Sequence, residues 1–203
     1  MTSPLFCLGL TGSIGMGKST AGAVFSSLDI PVWDADQAVA RIYSSGDSGS
    51  RALAVIVPEA VPDPKGPVCK ERLKEKLTQE PGLLRDIEEA IHPLVHHDRQ
   101  QFVEQAAETG SDLVVCEVPL LFESGSAAEF DAVAVVSTSA AQQENRVMRR
   151  AGMTRERFRT FRDRQMSDSE KRRLADYVIR SCDIQTMRSD VTTLVRKIRE
   201  LTG

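Results

Sequence analysis

The segment Phe6-Cys7-Leu8-Gly9-Leu10-Thr11-Gly12-Ser13-Ile14-Gly15-Met16-Gly17-Lys18-Ser19-Thr20 decides the fold of this 203-residue chain. Its first five residues form an apolar run of strand length. The residues from Gly12 onwards match the pattern GxxxxGK[ST], in which Gly12 and Gly17 are the two fixed glycines. A helical repeat of apolar residues follows at Ala21, Val24, Phe25 and Leu28. A strand, a glycine-rich loop and a helix in this order are typical of a phosphate-binding loop.

The residue types in this loop suit a polyphosphate. Glycines let backbone N–H groups turn towards one point without Cβ clashes, and the N-terminus of the following helix carries partial positive charge. Lys18 is predicted to reach the β- and γ-phosphates, and the Ser19 hydroxyl to ligate Mg²⁺. A glycine-rich turn without function is the alternative. We predict that ATP or GTP binds with Mg²⁺, through Gly12, Ser13, Gly15, Met16, Gly17, Lys18, Ser19 and Thr20.

Composition limits the class of protein. The chain is 41% hydrophobic and 27% charged, which is ordinary for a globular protein, and its net charge of −3 disfavours a general nucleic-acid binder. No apolar run approaches the roughly 18 residues of a membrane span, and the first strand begins too early to leave room for a signal peptide. Four widely spaced cysteines without a CxxC pair predict neither disulfides nor zinc. We expect a cytoplasmic protein, a monomer or weak homo-oligomer, that binds neither nucleic acid nor membrane.

Two acidic residues follow the second apolar run, Asp29–Trp33. They belong to Asp34-Ala35-Asp36, directly after a predicted strand. In open α/β sheets, ligands gather outside the carboxyl ends of the strands. Asp34 alternatively caps the next helix. We expect that one acid caps this helix and that the other faces the site.

Residues 34–109 are predicted to form a helical insertion in an α/β core. The residue before a proline avoids helical dihedrals, so His92-Pro93 is expected to end one helix and start another. The clustered histidines around this point are not expected to bind metal, because no cysteine is near them in sequence. We predict loops at Ser44–Ser50 and Pro58–Pro67, and helices at Arg51–Val57, Lys70–Gln79 and Pro93–Thr109. This insertion is the natural substrate-binding subdomain.

Three later apolar runs predict further strands of the same sheet. In the first two runs the apolar sequence is continuous, which suits strands that are buried on both faces. Glu117, near the end of the first run, either holds the Mg²⁺ shell through water or is an ordinary polar strand end. The predicted strands are Leu113–Val118, Asp131–Ser137 and Asp176–Arg180. A closing helix is predicted over Val191–Leu201, capped by Ser189 or Asp190.

Eleven basic residues are concentrated between positions 146 and 173. Most are expected to lie on solvated helix faces. Two or three are expected to reach the transferring phosphoryl group as part of a mobile lid. Two capping-box patterns, Ser139 with Gln142 and Ser167 with Glu170, predict where the lid helices begin.

These elements predict an α/β fold of three layers, α/β/α, as in P-loop kinases. It has a five-stranded parallel sheet, a helical substrate-binding insertion and a lid. We assign the nucleotide-binding core to residues 1–33, 110–138 and 174–203. The acceptor-binding subdomain is 34–109, and the lid is 139–173.

The order of several short motifs resembles the dephospho-coenzyme A kinase family. The motifs cover nearly the whole chain, and those outside the phosphate loop are the specific ones. They are residues 12–20, Asp34-Ala35-Asp36, Ile91-His92-Pro93-Leu94-Val95, Val118-Pro119-Leu120-Leu121-Phe122-Glu123, Arg146 with Arg150, Gln165, and Lys171 before Ala175-Asp176-Tyr177-Val178-Ile179. The resemblance implies transfer of the γ-phosphoryl group of ATP to the ribose 3′-hydroxyl of dephospho-coenzyme A, the last step of coenzyme A synthesis.

The resemblance also implies residue roles. Asp36 corresponds to the family's proposed catalytic base. Lys18 is expected to neutralise the β- and γ-oxygens, and Arg146 and Arg150, four residues apart on one helix face, to clamp the phosphates. The residues expected to hold the acceptor are Asp36, Arg41, His92, Pro119, Leu120, Leu121, Phe122 and Lys171.

The chain departs from the family pattern at two places. Ala40, followed by Arg41, stands where the family often has His or Arg. Ser181-Cys182-Asp183 follows the last strand, where an Asn and a Gly are common. These differences bear on the contacts to the acceptor and the base, and not on the reaction class.

Two rival functions fit part of the sequence. A P-loop kinase for a nucleoside monophosphate or a sugar shares the loop and lid, but the DAD and PLLFE motifs favour the coenzyme A precursor. A regulatory NTPase would use a switch element, and Asp63-Pro64-Lys65-Gly66 formally matches DxxG. That segment does not follow a convincing strand and is expected to be an exposed turn. The chain has no Asn-Lys-x-Asp element for guanine.

Overall fold

The computed structural model describes residues 5–44, 48–63 and 65–202. Its contacts divide the chain into two compact units. The first unit consists of Met1–Trp33 and Gln105–Gly203, and the second is the continuous segment Asp34–Glu104.

The first unit is built on a five-stranded parallel sheet, which confirms the predicted fold class. The strands are β1 (Phe6–Thr11), β2 (Val32–Asp34), β3 (Leu113–Glu117), β4 (Ala132–Ser137) and β5 (Tyr177–Arg180), in the order β2-β3-β1-β4-β5. The central strand β1 pairs with β3, placing Phe6 opposite Leu113, and with β4, placing Leu8 opposite Ala132. Every residue of β3 and β4 is buried, as their continuous apolar sequence predicts.

Helices surround the sheet and build the second unit. They are α1 (Lys18–Ser26), α2 (Ala35–Ser44), α3 (Ser48–Ile56), α4 (Lys70–Gln79), α5 (Leu83–Glu108), α6 (Ala140–Met148), α7 (Arg155–Asp163), α8 (Asp168–Leu174) and α9 (Ile184–Thr202). Among the described residues, no helix is both long enough and apolar enough to span a bilayer.

The core of the first unit lies on both faces of the sheet. On one face, α1 and α9 contribute Phe25, Val191 and Ile198 to a cluster that also contains Leu8 and Leu10 of β1. Since side chains alternate along a strand, Gly9 faces the opposite side. There, a Cβ on Gly9 would lie 2.8 Å from Leu121 and 3.0 Å from Phe130, so the chain after β3 packs directly on the β1 backbone.

The second unit has its own apolar core. Residues of α2, α3, α4 and α5 contribute, together with the segment between α3 and α4. The members include Ile42, Leu53, Val57, Val61, Leu73, Ile87 and Ile91. The helix predicted at Lys70–Gln79 is confirmed as α4.

The loop predicted at Ser44–Ser50 is wrong at both ends. Helix α2 includes Ser44, and α3 already begins at Ser48, while residues 45–47 lie outside the described residues. Ser50 is buried, and its hydroxyl donates to the Gly66 carbonyl at 2.7 Å. The polar composition predicted a loop, whereas this serine lies in α3 and is packed in the interior.

The segment Pro58–Pro67 is mostly irregular, with a short 3₁₀ turn at Pro58–Ala60. Within its DxxG sequence, the Gly66 N–H donates to the Asp63 carbonyl and the Lys65 N–H donates to the Asp63 carboxylate. Asp63 and Lys65 are exposed. This is an exposed turn, as predicted; Pro64 lies outside the described residues.

The predicted break at His92-Pro93 is also wrong, because α5 continues through Pro93 as one helix. A proline in a helix interior removes one backbone hydrogen bond and costs about 3 kcal/mol. Apolar residues on both sides of Pro93, among them Ile91 before it and Leu94 after it, pack on the same core. Burial of this shared face opposes the local cost and keeps the two halves of the helix continuous.

The closing helix begins earlier than predicted. α9 starts at Ile184, so neither Ser189 nor Asp190 caps it. Asp183 accepts hydrogen bonds from the Thr186 N–H and hydroxyl, which lower the pKa of Asp183 to about 2. Asp190 instead binds Arg180 of β5, with a guanidinium–carboxylate distance of 2.7 Å. Asp183 belongs to the segment Ser181-Cys182-Asp183, for which no helix start was predicted.

Two of the helices between β4 and β5, α6 and α8, begin at the predicted caps. Ser167 and Glu170 form a complete capping box at the start of α8. At the start of α6, the Ser139 hydroxyl accepts from the Gln142 N–H, but the Gln142 side chain reaches the Cys182 carbonyl at 3.3 Å instead of completing the box. Gln142 therefore ties α6 to the chain after β5.

Candidate active site

The phosphate loop connects β1 to α1 in a backbone form that requires glycine. Gly12 has φ +152° and Gly15 has φ +78°. A Cβ on Gly12 would lie 2.7 Å from the Val136 carbonyl oxygen, and one on Gly15 would collide with the Val147 side chain. The side chains of Ser13 and Met16 are buried. Any contact that these two residues make with a nucleotide in this geometry therefore comes from their backbone.

The first turn of α1 places a cation and a hydroxyl beside the loop. The Lys18 ammonium donates to the Gly12 carbonyl at 2.9 Å and so folds back over the loop. The Ser19 hydroxyl lies 3.4 Å from the Glu117 carboxylate, which is the last residue of β3 and only 6% exposed. Thr20, next along the helix, is exposed.

Arg146 lies against the same loop. Its guanidinium donates to the Ser181 hydroxyl at 2.9 Å and also to the Ser181 carbonyl. The Ser181 hydroxyl in turn donates to the Met16 carbonyl at 2.5 Å. A Cβ on Gly17 would lie 3.4 Å from an Arg146 nitrogen, so the guanidinium sits at the N-terminus of α1. In the sequence, Ser181 stands out only as a departure from the family pattern.

The other basic residues of this segment are placed differently. Nine of the eleven between positions 146 and 173 are exposed, as expected for solvated helix faces. Arg150 is one of these, and it lies beyond the end of α6 at Met148. The prediction that Arg146 and Arg150 share a helix face is therefore wrong, because the helix ends before Arg150.

Lys171 is fully buried, with its ammonium 2.9 Å from the Glu123 carboxylate and 3.4 Å from the Pro119 carbonyl. We predicted that Lys171 binds substrate. That prediction is wrong for this structure, because the Lys171 ammonium is buried and is bound by groups of the protein itself. Leu121, from the same expectation, is also fully buried and packs on β1. Leu120 is 45% exposed, and Pro119 and Phe122 are partly exposed.

Two glutamines that sequence analysis gave no role bind the tip of the phosphate loop. The Ile14 N–H donates to the Gln165 side-chain oxygen at 3.0 Å, and the Gln143 side-chain amide donates to the Ile14 carbonyl at 2.8 Å. Gln143 is buried one helical turn before Val147 on the inner face of α6. The signal in the sequence was the polar side chain of Gln143 on the otherwise apolar inner face of this helix, which could have indicated a structural role.

The second unit carries the remaining predicted residues. Asp34 caps α2 by accepting from the Gln37 N–H at 3.0 Å, and Asp36 is exposed in the first turn of this helix. Arg41 pairs with Asp98 at 2.6 Å. His92 is exposed on α5. Across residues 5–44, 48–63 and 65–202, no three His, Cys, Asp or Glu side chains form a metal-binding cluster.

Comparison with known proteins identifies the family. A family model described as dephospho-CoA kinase matches residues 6–185. The dephospho-CoA kinase of Jannaschia sp. (strain CCS1) is 42% identical over 195 residues, which span 96% of this chain and 98% of the relative. The crystal structure of TT1252 from Thermus thermophilus shares 31% identity and a TM-score of 0.80, covering 98% of this chain and 99% of that one.

The fold is shared more widely than the sequence. Dephospho-CoA kinase from Campylobacter jejuni is 20% identical with a TM-score of 0.65, covering 95% of this chain and 96% of that chain. The family match spans both units and every site residue described above. The chain therefore belongs to the dephospho-CoA kinase family of ATP-dependent phosphotransferases.

Proposed function

We propose that Lys18, Arg146 and Asp36 carry out the family's reaction in this chain, the transfer of the γ-phosphoryl group of ATP to the ribose 3′-hydroxyl of dephospho-coenzyme A. The observation that carries the proposal is the phosphate loop itself. It combines glycine-dependent backbone geometry, the Lys18 ammonium and the Arg146 guanidinium at one helix N-terminus. This is the charge pattern that a triphosphate requires.

Electrostatic stabilisation is the main task of the protein in this reaction. Phosphoryl transfer passes through a loose transition state whose charge is spread over the phosphate oxygens. Lys18 would bind the β- and γ-oxygens. Arg146, fixed by Ser181, would add positive charge without having to reorganise. Arg150, which is exposed beyond α6, would join only if the lid (139–173) brought it to the phosphates.

The chain offers oxygen donors that fit Mg²⁺. Ser19 and Glu117 bring a hydroxyl and a carboxylate within 3.4 Å of each other, and Mg²⁺ prefers oxygen ligands that it shares with substrate phosphates and water. When bound, the ion would neutralise charge on the β- and γ-phosphates. Ser19 would ligate it directly, and Glu117 would hold its water shell.

Asp36 would accept the proton of the attacking hydroxyl. A ribose hydroxyl has a high pKa and is a poor nucleophile, but in a loose transition state its proton leaves late. The hydroxyl oxygen forms the new bond to the γ-phosphorus as the bond to ADP breaks, and its proton passes to the Asp36 carboxylate. The exposed position of Asp36 in the first turn of α2 leaves it accessible to a substrate.

We assign Arg41, His92, Pro119, Leu120 and Phe122 to the binding of the acceptor. We further propose that the enzyme acts in the cytoplasm on these small molecules, as a monomer or weak homo-oligomer. The four widely spaced cysteines, which include no CxxC pair, suit a reducing compartment.

A coupled ADP-release assay tests the substrate. With Mg-ATP, we expect strong turnover of dephospho-coenzyme A and little with AMP, CMP or adenosine, and a product phosphorylated at the ribose 3′ position. Turnover of a monophosphate instead would keep the phosphate loop but overturn the acceptor assignment. Nucleotide binding without turnover of any acceptor would favour a regulatory NTPase.

The substitution Asp36→Asn is expected to lower kcat by on the order of 10²–10⁴ with little change in ATP affinity, because the amide cannot accept the proton. Steady-state kinetics with both substrates measure the effect. Asp86→Asn, an exposed aspartate in the first turn of α5, is the matched control and should retain full activity. A higher acceptor KM at unchanged kcat would make Asp36 a binding residue.

A further inference from the structure

Both backbone groups of Ile14 are bound by glutamine side chains from outside the phosphate loop. Gln165, in the connection between α7 and α8, accepts from the Ile14 N–H at 3.0 Å. Gln143, on α6, donates to the Ile14 carbonyl at 2.8 Å. We call these two residues the glutamine clamp. Both come from the segment between β4 and β5, far from Ile14 in sequence.

The clamp residue Gln165 is itself fixed by its neighbour. The Met166 N–H donates to the Glu123 carboxylate at 2.8 Å, and the Ser13 hydroxyl lies 3.5 Å from the Met166 carbonyl. Glu123 is in turn paired with the fully buried Lys171. The pair Gln165–Met166 therefore lies between the loop tip and a buried ion pair, with polar contacts to both.

The loop tip needs such support. Ile14 lies between Gly12 and Gly15, which both have positive φ and have no side chain to restrict the local backbone. Glycine lowers the cost of this conformation but raises the entropy lost when the loop is fixed. A loop that other residues already hold in its bound conformation loses less conformational entropy when a ligand binds.

We infer that Gln143 and Gln165 are positioning residues for phosphoryl transfer: through the Ile14 peptide groups they hold the phosphate loop ready for the triphosphate. The inference rests on the proposed nucleotide site but not on the identity of the acceptor. It makes the shape of the loop depend on where the α7–α8 connection lies.

The test compares Gln165→Ala with the wild type in the full chain. The substitution removes the side-chain oxygen that accepts from the Ile14 N–H. We expect the Kd for ATP to rise on the order of tenfold, with a small change in Tm. Amide hydrogen exchange in the nucleotide-free protein should become faster in the peptide that contains Ile14. Gln165→Glu keeps an acceptor oxygen and should restore slow exchange. Gln105→Ala, an exposed glutamine of the first unit, is the matched control and should change neither readout.

Three results would overturn the inference. Unchanged ATP affinity and exchange would show that the clamp does not position the loop. Tighter ATP binding would show that Gln165 competes with phosphate for the Ile14 N–H. A lower Tm of Gln165→Ala with an unchanged Kd for ATP would show that Gln165 has a purely structural role.

If Gln165→Ala does not fold, Gln165→Asn gives the same comparison. Its shorter side chain keeps an amide but moves the oxygen away from the Ile14 N–H. Failure of the proposed function would appear separately, because the wild type would bind ATP without phosphorylating dephospho-coenzyme A, and the affinity and exchange measurements would still decide the role of the clamp.

Discussion

Replacing Lys18 with alanine is expected to lower kcat on the order of 10³-fold while the protein stays folded. The ammonium group is the cation that folds back over the phosphate loop, and its removal leaves the developing charge on the transferred group without that partner. The hydrogen bond to the Gly12 carbonyl that the substitution removes contributes about 1 kcal/mol to stability. ADP release under saturating Mg-ATP and acceptor measures the rate, and thermal unfolding measures the fold.

Lys197→Ala provides the matched control for this experiment. Lys197 is an exposed lysine on α9, and its removal changes the net charge by the same amount. Its kcat should equal that of the wild type. Near-normal turnover by Lys18→Ala would refute the assignment of the loop as the catalytic phosphate site.

Breaking the buried pair Glu123–Lys171 is expected to have the largest effect on stability. Glu123→Gln alone or Lys171→Met alone should each cost about 3–5 kcal/mol of unfolding free energy, because each leaves a charge inside the protein without its partner. The double variant Glu123→Gln/Lys171→Met should lose much less than the sum, since no charge remains buried and the glutamine oxygen still accepts from the Met166 N–H. Urea unfolding of the four proteins measures the cycle.

An exposed ion pair is the control for that cycle. Arg196 and Glu200 on α9 lie 2.9 Å apart, with both side chains more than half exposed. Glu200→Gln should change the unfolding free energy by about 0.5 kcal/mol or less. If the two single variants at Glu123 and Lys171 behaved like this control, the buried pair would not stabilise the segment after β3, and the support of Gln165–Met166 would need another source.

The fold could be predicted where the sequence signal is local. The apolar runs of β3 and β4 and the phosphate loop between Gly12 and Ser19 each carry their structure in consecutive residues. Pro93 and the start of α9 could not be predicted in this way. At Pro93, the local preference for a break is overcome by burial of Ile91 and Leu94 on a common core, which only the tertiary structure provides.

The same division applies to the candidate site. The places of Lys18 and Ser19 beside the loop could be predicted, because both follow from position in one motif. Gln143, Gln165 and Ser181 contact that loop from far along the chain, so no spacing rule brings them to Ile14 or Met16. Lys171 shows the opposite error. The family resemblance assigned it to the acceptor, whereas it is buried and paired with Glu123, which lies 48 positions earlier in the chain.

The insertion of the second unit between β2 and β3 has a consequence for biosynthesis. The central strand β1 leaves the ribosome before the other strands of the sheet, yet both of its partners, β3 and β4, follow the whole of Asp34–Glu104. The inserted segment is continuous and has its own apolar core, so we expect it to fold before β1 pairs with β3 and β4. In nascent chains, the insertion should therefore become resistant to protease before β1 does. The apolar strand β1 remains unpaired until β3 and β4 have been synthesised.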